Sequence, residues 1–220
     1  MKIKHILLDL DDTIYHSTPM LSCDVDKKMS LYVARLFNTN PFIAKKLRKH
    51  FAPRYGSTLS WLARAAGQPG KVLDEFLDYV HPKDVKQYIE KECGLNELIE
   101  KISIPVSIFT NAPLEHAERV LDSLKIDKNI FSHIFDIRFC NYIGKPDKEA
   151  YMRVANHLNL NVREILFVDD RPENVKAMQE AGGIAILRSE EKEDGIISIS
   201  SLKEIPTILE KLADADIIAV

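Results

Sequence analysis

The chain has 220 residues, 45% of them hydrophobic and 29% charged, a balance that supports a globular protein with a sizeable buried core. A formal net charge of -3 and a pI near 6.2 offer no basic field to a phosphate backbone, which argues against a nucleic-acid polymer as partner. No apolar window approaches a membrane span, the apolar run after Met1-Lys2-Ile3-Lys4-His5 is too short for a signal peptide, and Cys23, Cys93 and Cys140 are scattered without metal-ligand spacing; a cytoplasmic protein is expected.

In chain order, the first element is Ile6-Leu7-Leu8, whose unbroken apolar character predicts a strand buried on both faces. It runs into Asp9-Leu10-Asp11-Asp12-Thr13. In an extended segment residues two apart project to one side, so Asp9 and Asp11 point together beyond the strand's carboxyl end. Two acids held so close repel each other, and a shared proton or a bound cation resolves the conflict; either places the pair in a reactive site.

From Ser17 to about Gly94 the pattern is helical. Leu21, Val25, Met29, Val33 and Leu36 recur every three or four residues, as do Ile43, Leu47 and Phe51. Asn40-Pro41, Tyr55-Gly56 and Gln68-Pro69-Gly70 divide the segment into short helices, and it contains no strand candidate. From Leu95 the texture alternates. Helical spacing over Leu95 to Ile102 is followed by a strand Val106 to Phe109, a helix Leu114 to Leu124 and a strand Ile134 to Phe139. A helix Lys148 to Leu158, a strand Ile165 to Val168, a helix Glu173 to Ala181 and a strand Ile184 to Leu187 complete the series. This predicts an α/β fold with a mostly parallel sheet, helices on both faces and an inserted helical cap. Residues 1–15 and 95–220 form the expected core, and 16–94 the cap.

Ligands of such sheets bind outside the carboxyl ends of the strands. The polar residues collect there: Asp9 and Asp11 after the first strand, Thr110-Asn111 after Val106-Phe109, and Asp169-Asp170 after Ile165-Val168. Lys145 lies in the loop Gly144-Lys145-Pro146-Asp147, where Pro146 keeps it out of helical geometry. Acids, a hydroxyl and a lysine at one edge suit phosphoryl transfer with a hard cation, and Mg2+ is the cation expected. One aspartate attacks phosphorus, while the cation and Lys145 offset the developing charge. A second carboxyl protonates the leaving group and later activates water.

Asp9-x-Asp11-x-Thr13, Thr110, Lys145 and Asp169-Asp170 with Asn174 stand in the order, and with the flanking apolar runs, of the haloacid dehalogenase superfamily, which this chain resembles over about two thirds of its length. The resemblance implies a Rossmann-like core with a cap between the first and second motifs. It also implies Asp9 as nucleophile, Asp11 as acid-base and as metal ligand through its carbonyl, Thr110, Asn111 and Lys145 as phosphoryl binders, and Asp170 with Asp169 completing a Mg2+ site. The stretches Phe109-Thr110-Asn111-Ala112, His116-Ala117-x-Arg119-Val120-Leu121 and Tyr55-Gly56-Ser57-Thr58-Leu59 are similar to the pyrimidine 5'-nucleotidase-like branch. That branch implies a nucleoside monophosphate as the small phosphorylated substrate. Trp61 stands where the branch has a small residue.

Taken singly, each feature has a plainer reading: an Asp-x-Asp turn, a strand-end threonine, a solvated loop lysine, an acidic helix cap before Pro172. Together, in this order, they favour a phosphate-handling site. His16, Arg54, Tyr55 and Trp61 are cap candidates for the substrate, with packing or exposure as the alternative. His116 and Arg119 are expected as supporting or surface positions. Asp11 favours phosphate esters over dehalogenation. The competing functions are a phosphomutase on this fold and a non-catalytic phosphate-binding or regulatory protein. A receiver domain would need a strand ending in its phosphorylated Asp where this chain is helical.

Overall fold

The computed structural model describes residues 2–191 and 193–218. Strand β1 is His5–Leu8, and β2, Tyr15–Ser17, follows one turn later. Four helices come next: α1 Pro19–Leu36, α2 Pro41–Tyr55, α3 Thr58–Arg64 and α4 Gly70–Val80. After β3, Ile89–Glu92, come α5 Leu95–Lys101, β4 Val106–Phe109, α6 Leu114–Leu124 and β5 Ile134–Phe135. The remainder is α7 Lys148–His157, β6 Ile165–Asp169, α8 Pro172–Glu180, β7 Ile184–Arg188, β8 Ser198–Ile199 and α9 Ile205–Ile218.

Six strands form one parallel sheet in the order β5-β4-β1-β6-β7-β8. Strand β1 sits between β4 and β6, with Leu8 beside Ile108 on one side and Val168 on the other. The chain therefore builds outward one way through β4 and β5 and the other way from β6, and the reversal beside β1 opens a crevice at the strands' carboxyl ends. Alternation along each strand splits the core. Ile6, Leu8, Leu166 and Val168 pack on one face with Val120 and Leu98, while Leu7, Phe109 and Phe167 pack on the other with Tyr151 and Met178. Both faces are covered, which is why β1 reads as an uninterrupted apolar run.

The cap helices have a core of their own around Val33, Leu62, Phe76 and Val80. Trp61 is 5% exposed, and its ring stacks on Phe51 and Phe37 at 5.2 and 5.7 Å, so it packs inside the cap rather than facing a ligand. The turn signals act locally as expected: Asn40 accepts the Ile43 N–H with Pro41 in the first turn of α2, and Ser57 accepts the Ser60 N–H at the start of α3. Ion pairs Arg64–Asp147 (2.8 Å) and Arg138–Asp74 (2.7 Å) join cap and core.

Two sequence expectations are corrected. The segment expected to hold no strand contains β3, which pairs antiparallel with β2 at the base of the cap. Its sequence, Ile-Glu-Lys-Glu, is half-exposed and charged, so it carries no apolar alternation to betray it. The strand expected over Ile134 to Phe139 stops at Phe135, because Asp136 turns the chain by accepting the Phe139 and Leu114 N–H groups. No helix among the described residues is long and apolar enough to cross a membrane.

Candidate active site

Lys145 is the pivot of the strand-end crevice. It is 1% exposed, and its Nζ donates to Asp9 Oδ1 (2.6 Å), Asp169 Oδ2 (2.6 Å) and the Phe109 carbonyl (2.7 Å), which uses all three ammonium protons. Burial alone would push its pKa down, but the charges of Asp169 and Asp9 outweigh burial and raise it, so the cation is retained. Asn111 fixes its main chain: Nδ2 donates to the Lys145 carbonyl (2.8 Å) and Oδ1 accepts the Lys145 N–H (2.9 Å).

Asp9, at the end of β1, is held well above the usual carboxylate range by burial, with Asp169, Asp170 and Asp11 adding to the rise and Lys145 opposing it. Asp169 is fully buried. It accepts from Lys145, from the Arg171 N–H (2.9 Å) and from Asn174 Nδ2 (2.9 and 3.0 Å). Asp170 follows it into the crevice, and burial and the Asp169 charge push it up to about 7. Oxygens of Asp9, Asp169 and Asp170 all lie within 4.8 Å of one another. Three carboxylates thus gather around one ammonium, which bonds two of them. The raised Asp9 and Asp170 register that surplus of negative charge, and a hard divalent cation fits such an all-oxygen donor set.

Asp11 behaves differently. Burial pushes its carboxyl up, but the His116 charge and the hydrogen bonds from His116 and Tyr15 dominate and hold it at about 2. His116 Nε2 lies 2.9 Å from Asp11 Oδ1, and the Tyr15 hydroxyl donates to the same oxygen. Asp12 turns the chain with φ 60° and accepts the Ser17 N–H and hydroxyl. Thr110 Oγ1 accepts the Ala112 N–H (3.0 Å) at the end of β4.

These side chains open onto a cavity of about 280 Å³. Its floor includes Asp9, Asp11, Thr110, Asn111, Lys145 and Asp170, and the cap supplies Met29, Thr58, Leu59, Phe76 and Leu77 as its roof, with His81 at the side. Burial is the main reason the His81 imidazole is lowered to about 4, so it faces the cavity neutral. The structure brings the seven predicted core residues, Asp9, Asp11, Thr110, Asn111, Lys145, Asp169 and Asp170, to one place.

The predicted cap residues are not brought there. Arg54 is exposed, Tyr55 packs against the cap core, and His16 pairs with Arg188 on β7; none lines the cavity. All three lie near turns where polar character alone does not reveal direction. His116, expected as a supporting or surface position, is 1% exposed and bonded to Asp11, whereas Arg119 is half-buried and donates to the Pro82 carbonyl (3.0 Å). The signal for His116 was present: it shares the buried face of α6 with Ala117, Val120 and Leu121, and a histidine on an apolar face needs a polar partner. Tyr15 and His81 carried no comparable signal.

The chain is 34% identical over 95 residues to the chloroplast flavin mononucleotide hydrolase 1 of Arabidopsis thaliana, a stretch covering 40% of this chain and 36% of that protein. It is 27% identical over 116 residues to a phosphorylated carbohydrates phosphatase of Thermotoga maritima, covering 50% and 53%. The matches thus span about half the length of these curated relatives, or less. Among solved structures, the L-2-haloacid dehalogenase of Xanthobacter autotrophicus superposes with a TM-score of 0.60 at 13% identity, covering 95% of this chain and 99% of that one, a likeness of fold. Residues 3–182 match the haloacid dehalogenase-like hydrolase family, to which this chain belongs.

Proposed function

We propose that this protein is a Mg2+-dependent phosphomonoesterase that hydrolyses a small phosphorylated metabolite in the cytoplasm through a phosphoryl group carried on Asp9. The observation that carries the reading is the Lys145 ammonium bridging Asp9 and Asp169 at 2.6 Å each, beside an intact Asp11. Asp9 and Asp170 would hold the cation together with the Asp11 carbonyl, while Asp169, its oxygens already engaged, chiefly anchors Lys145. When bound, Mg2+ supplies positive charge against the transferring phosphoryl group.

The chain's own residues do the rest. Asp9 presents a carboxylate oxygen to phosphorus, and Lys145 offsets charge on the phosphoryl oxygens. Thr110 and Asn111 border the phosphate end of the cavity. Asp11, ionised in the free protein, takes up a proton as the negative phosphate group approaches it, delivers that proton to the leaving oxygen and later takes one from water, work worth about 10² to 10⁴ in rate. The cap roof shields the phosphoryl-enzyme from bulk water. The relative named as a flavin mononucleotide hydrolase supports placing nucleotides among the first substrates tested.

Phosphate release from a panel of phosphorylated metabolites, with and without Mg2+, tests the reading. Asp9→Asn is expected to abolish release on every substrate. Near-normal activity of that variant after EDTA treatment and Mg2+ restoration, or isomerised sugar phosphate without free phosphate, would overturn it.

A further inference from the structure

We propose that Tyr15 and His116 are positioning residues that clamp the Asp11 carboxyl so that its second oxygen faces the leaving group of the substrate. The inference rests on the reading of Asp11 as the acid-base given above. Both donors converge on one atom: the Tyr15 hydroxyl and His116 Nε2 each bond Asp11 Oδ1. They arrive from unrelated parts of the chain, Tyr15 from the start of β2 and His116 from the first turns of α6.

Both donors are rigid. Tyr15 is 0% and His116 1% exposed, with the Tyr15 ring set in the core beside Leu10 and Ile14. His81 backs the His116 ring at 5.0 Å and is itself fixed by donating Nδ1–H to the Leu77 carbonyl (2.9 Å). Asp11, by contrast, keeps 32% of its side chain exposed and lines the catalytic cavity. With Oδ1 occupied from two directions, the carboxyl cannot rotate about its terminal bond without breaking both contacts, and Oδ2 is left for the substrate. A group held this way spends little entropy reaching the transition state.

The step it serves balances as follows. An Asp9 oxygen bonds to phosphorus as the ester P–O bond breaks, the electron pair leaves on the ester oxygen, and that oxygen takes the proton from Asp11. In the second half, water attacks phosphorus and returns a proton to Asp11, and the Asp9–phosphoryl bond breaks to release phosphate. Orientation of Asp11 therefore matters in proportion to how much the leaving group needs its proton.

The test is the leaving-group dependence of kcat/KM for the full chain with Mg2+, from 4-nitrophenyl phosphate through phenyl phosphate to alkyl phosphates. Tyr15→Phe and His116→Leu are expected to lose about 10- to 100-fold on alkyl phosphates yet stay within about 3-fold on 4-nitrophenyl phosphate, which needs little protonation. His116→Gln, which keeps a donor, should recover part of the loss. A uniform loss across the series, or none, would overturn the clamp; since Tyr15→Phe removes a single oxygen and preserves the ring, it decides the question if the His116 variants fold poorly. Asp11→Asn is the control. If it leaves the dependence unchanged, the acid-base reading itself fails; if it steepens the dependence and the clamp variants do not, only the clamp fails.

Discussion

Asn111 holds Lys145 by its main chain, donating to its carbonyl at 2.8 Å and accepting its N–H at 2.9 Å across 34 residues of sequence. The side chain of one strand end thereby sets the position of a loop lysine whose ammonium must reach Asp9. Asn111→Ala removes both bonds, each worth about 1 kcal/mol. A loss of about 2 kcal/mol in urea unfolding is expected, with a fall of about tenfold or more in kcat/KM as the ammonium loses its register. Unchanged kinetics would show that the loop holds Lys145 without help.

Gly144 is the neighbour that allows this grip. A Cβ added there would lie 2.0 Å from Asn111 Oδ1 and 2.7 Å from Ile137 Cδ1. Gly144→Ala should therefore displace Asn111 and reproduce the kinetic defect of Asn111→Ala. In the double variant the two kinetic losses should not add, because the contact that the methyl group breaks is already gone. Full additivity in a double-variant cycle would refute the shared cause.

Removing the cation altogether is more severe. Lys145→Met leaves the buried carboxylates of Asp9 and Asp169 facing each other without their partner, a change that costs about 3 to 5 kcal/mol. Chemical denaturation in the presence of EDTA is the suitable measurement. Phosphate release should be lost as well, and Lys145→Arg should not restore it, since a planar guanidinium cannot place three donors on Asp9, Asp169 and the Phe109 carbonyl.

Acid stability tests a site remote from the chemistry. His5 on β1 contacts Ser107 Oγ through Nε2 at 2.8 Å, and burial, helped by His133, lowers its pKa to about 4. The folded state therefore keeps His5 neutral while the unfolded chain takes up a proton below about 6.5. Its contribution to stability is complete above pH 6.5 and is lost as the pH falls towards 4, at up to about 1.4 kcal/mol per pH unit. His81, also lowered to about 4, acts in the same direction. His5→Gln, which can still bond Ser107, should flatten the stability profile between pH 6.5 and 4 relative to the parent. Identical slopes would show that His5 is not held neutral.

Residue order alone was enough to locate the carboxyl ends of β1, β4 and β6 and the residues they carry. Ile6 to Leu8 is apolar on both faces because both faces are covered, and alternation then dictates that Asp9 emerges at the carboxyl end. The same logic placed Thr110 after β4 and Asp169-Asp170 at the end of β6, and Pro146 marked the Lys145 loop. Such properties are local, since backbone geometry and periodicity decide which way a side chain projects.

What one side chain meets across the fold is a different matter. That Asn111 grips Lys145, that His116 and Tyr15 share one oxygen of Asp11, and that Trp61 stacks in the cap while His16 pairs with Arg188 follow from strand order and helix rotation. Partners up to 172 residues apart leave no mark in a local window. The separate two-stranded ribbon of β2 and β3 shows the same limit, because its pairing rests on main-chain hydrogen bonds that depend little on side-chain type. Periodicity thus determined which edge of the sheet gathers the acids of this protein, whereas the shape of its cap and the orientation of its carboxyls were decided only by tertiary packing.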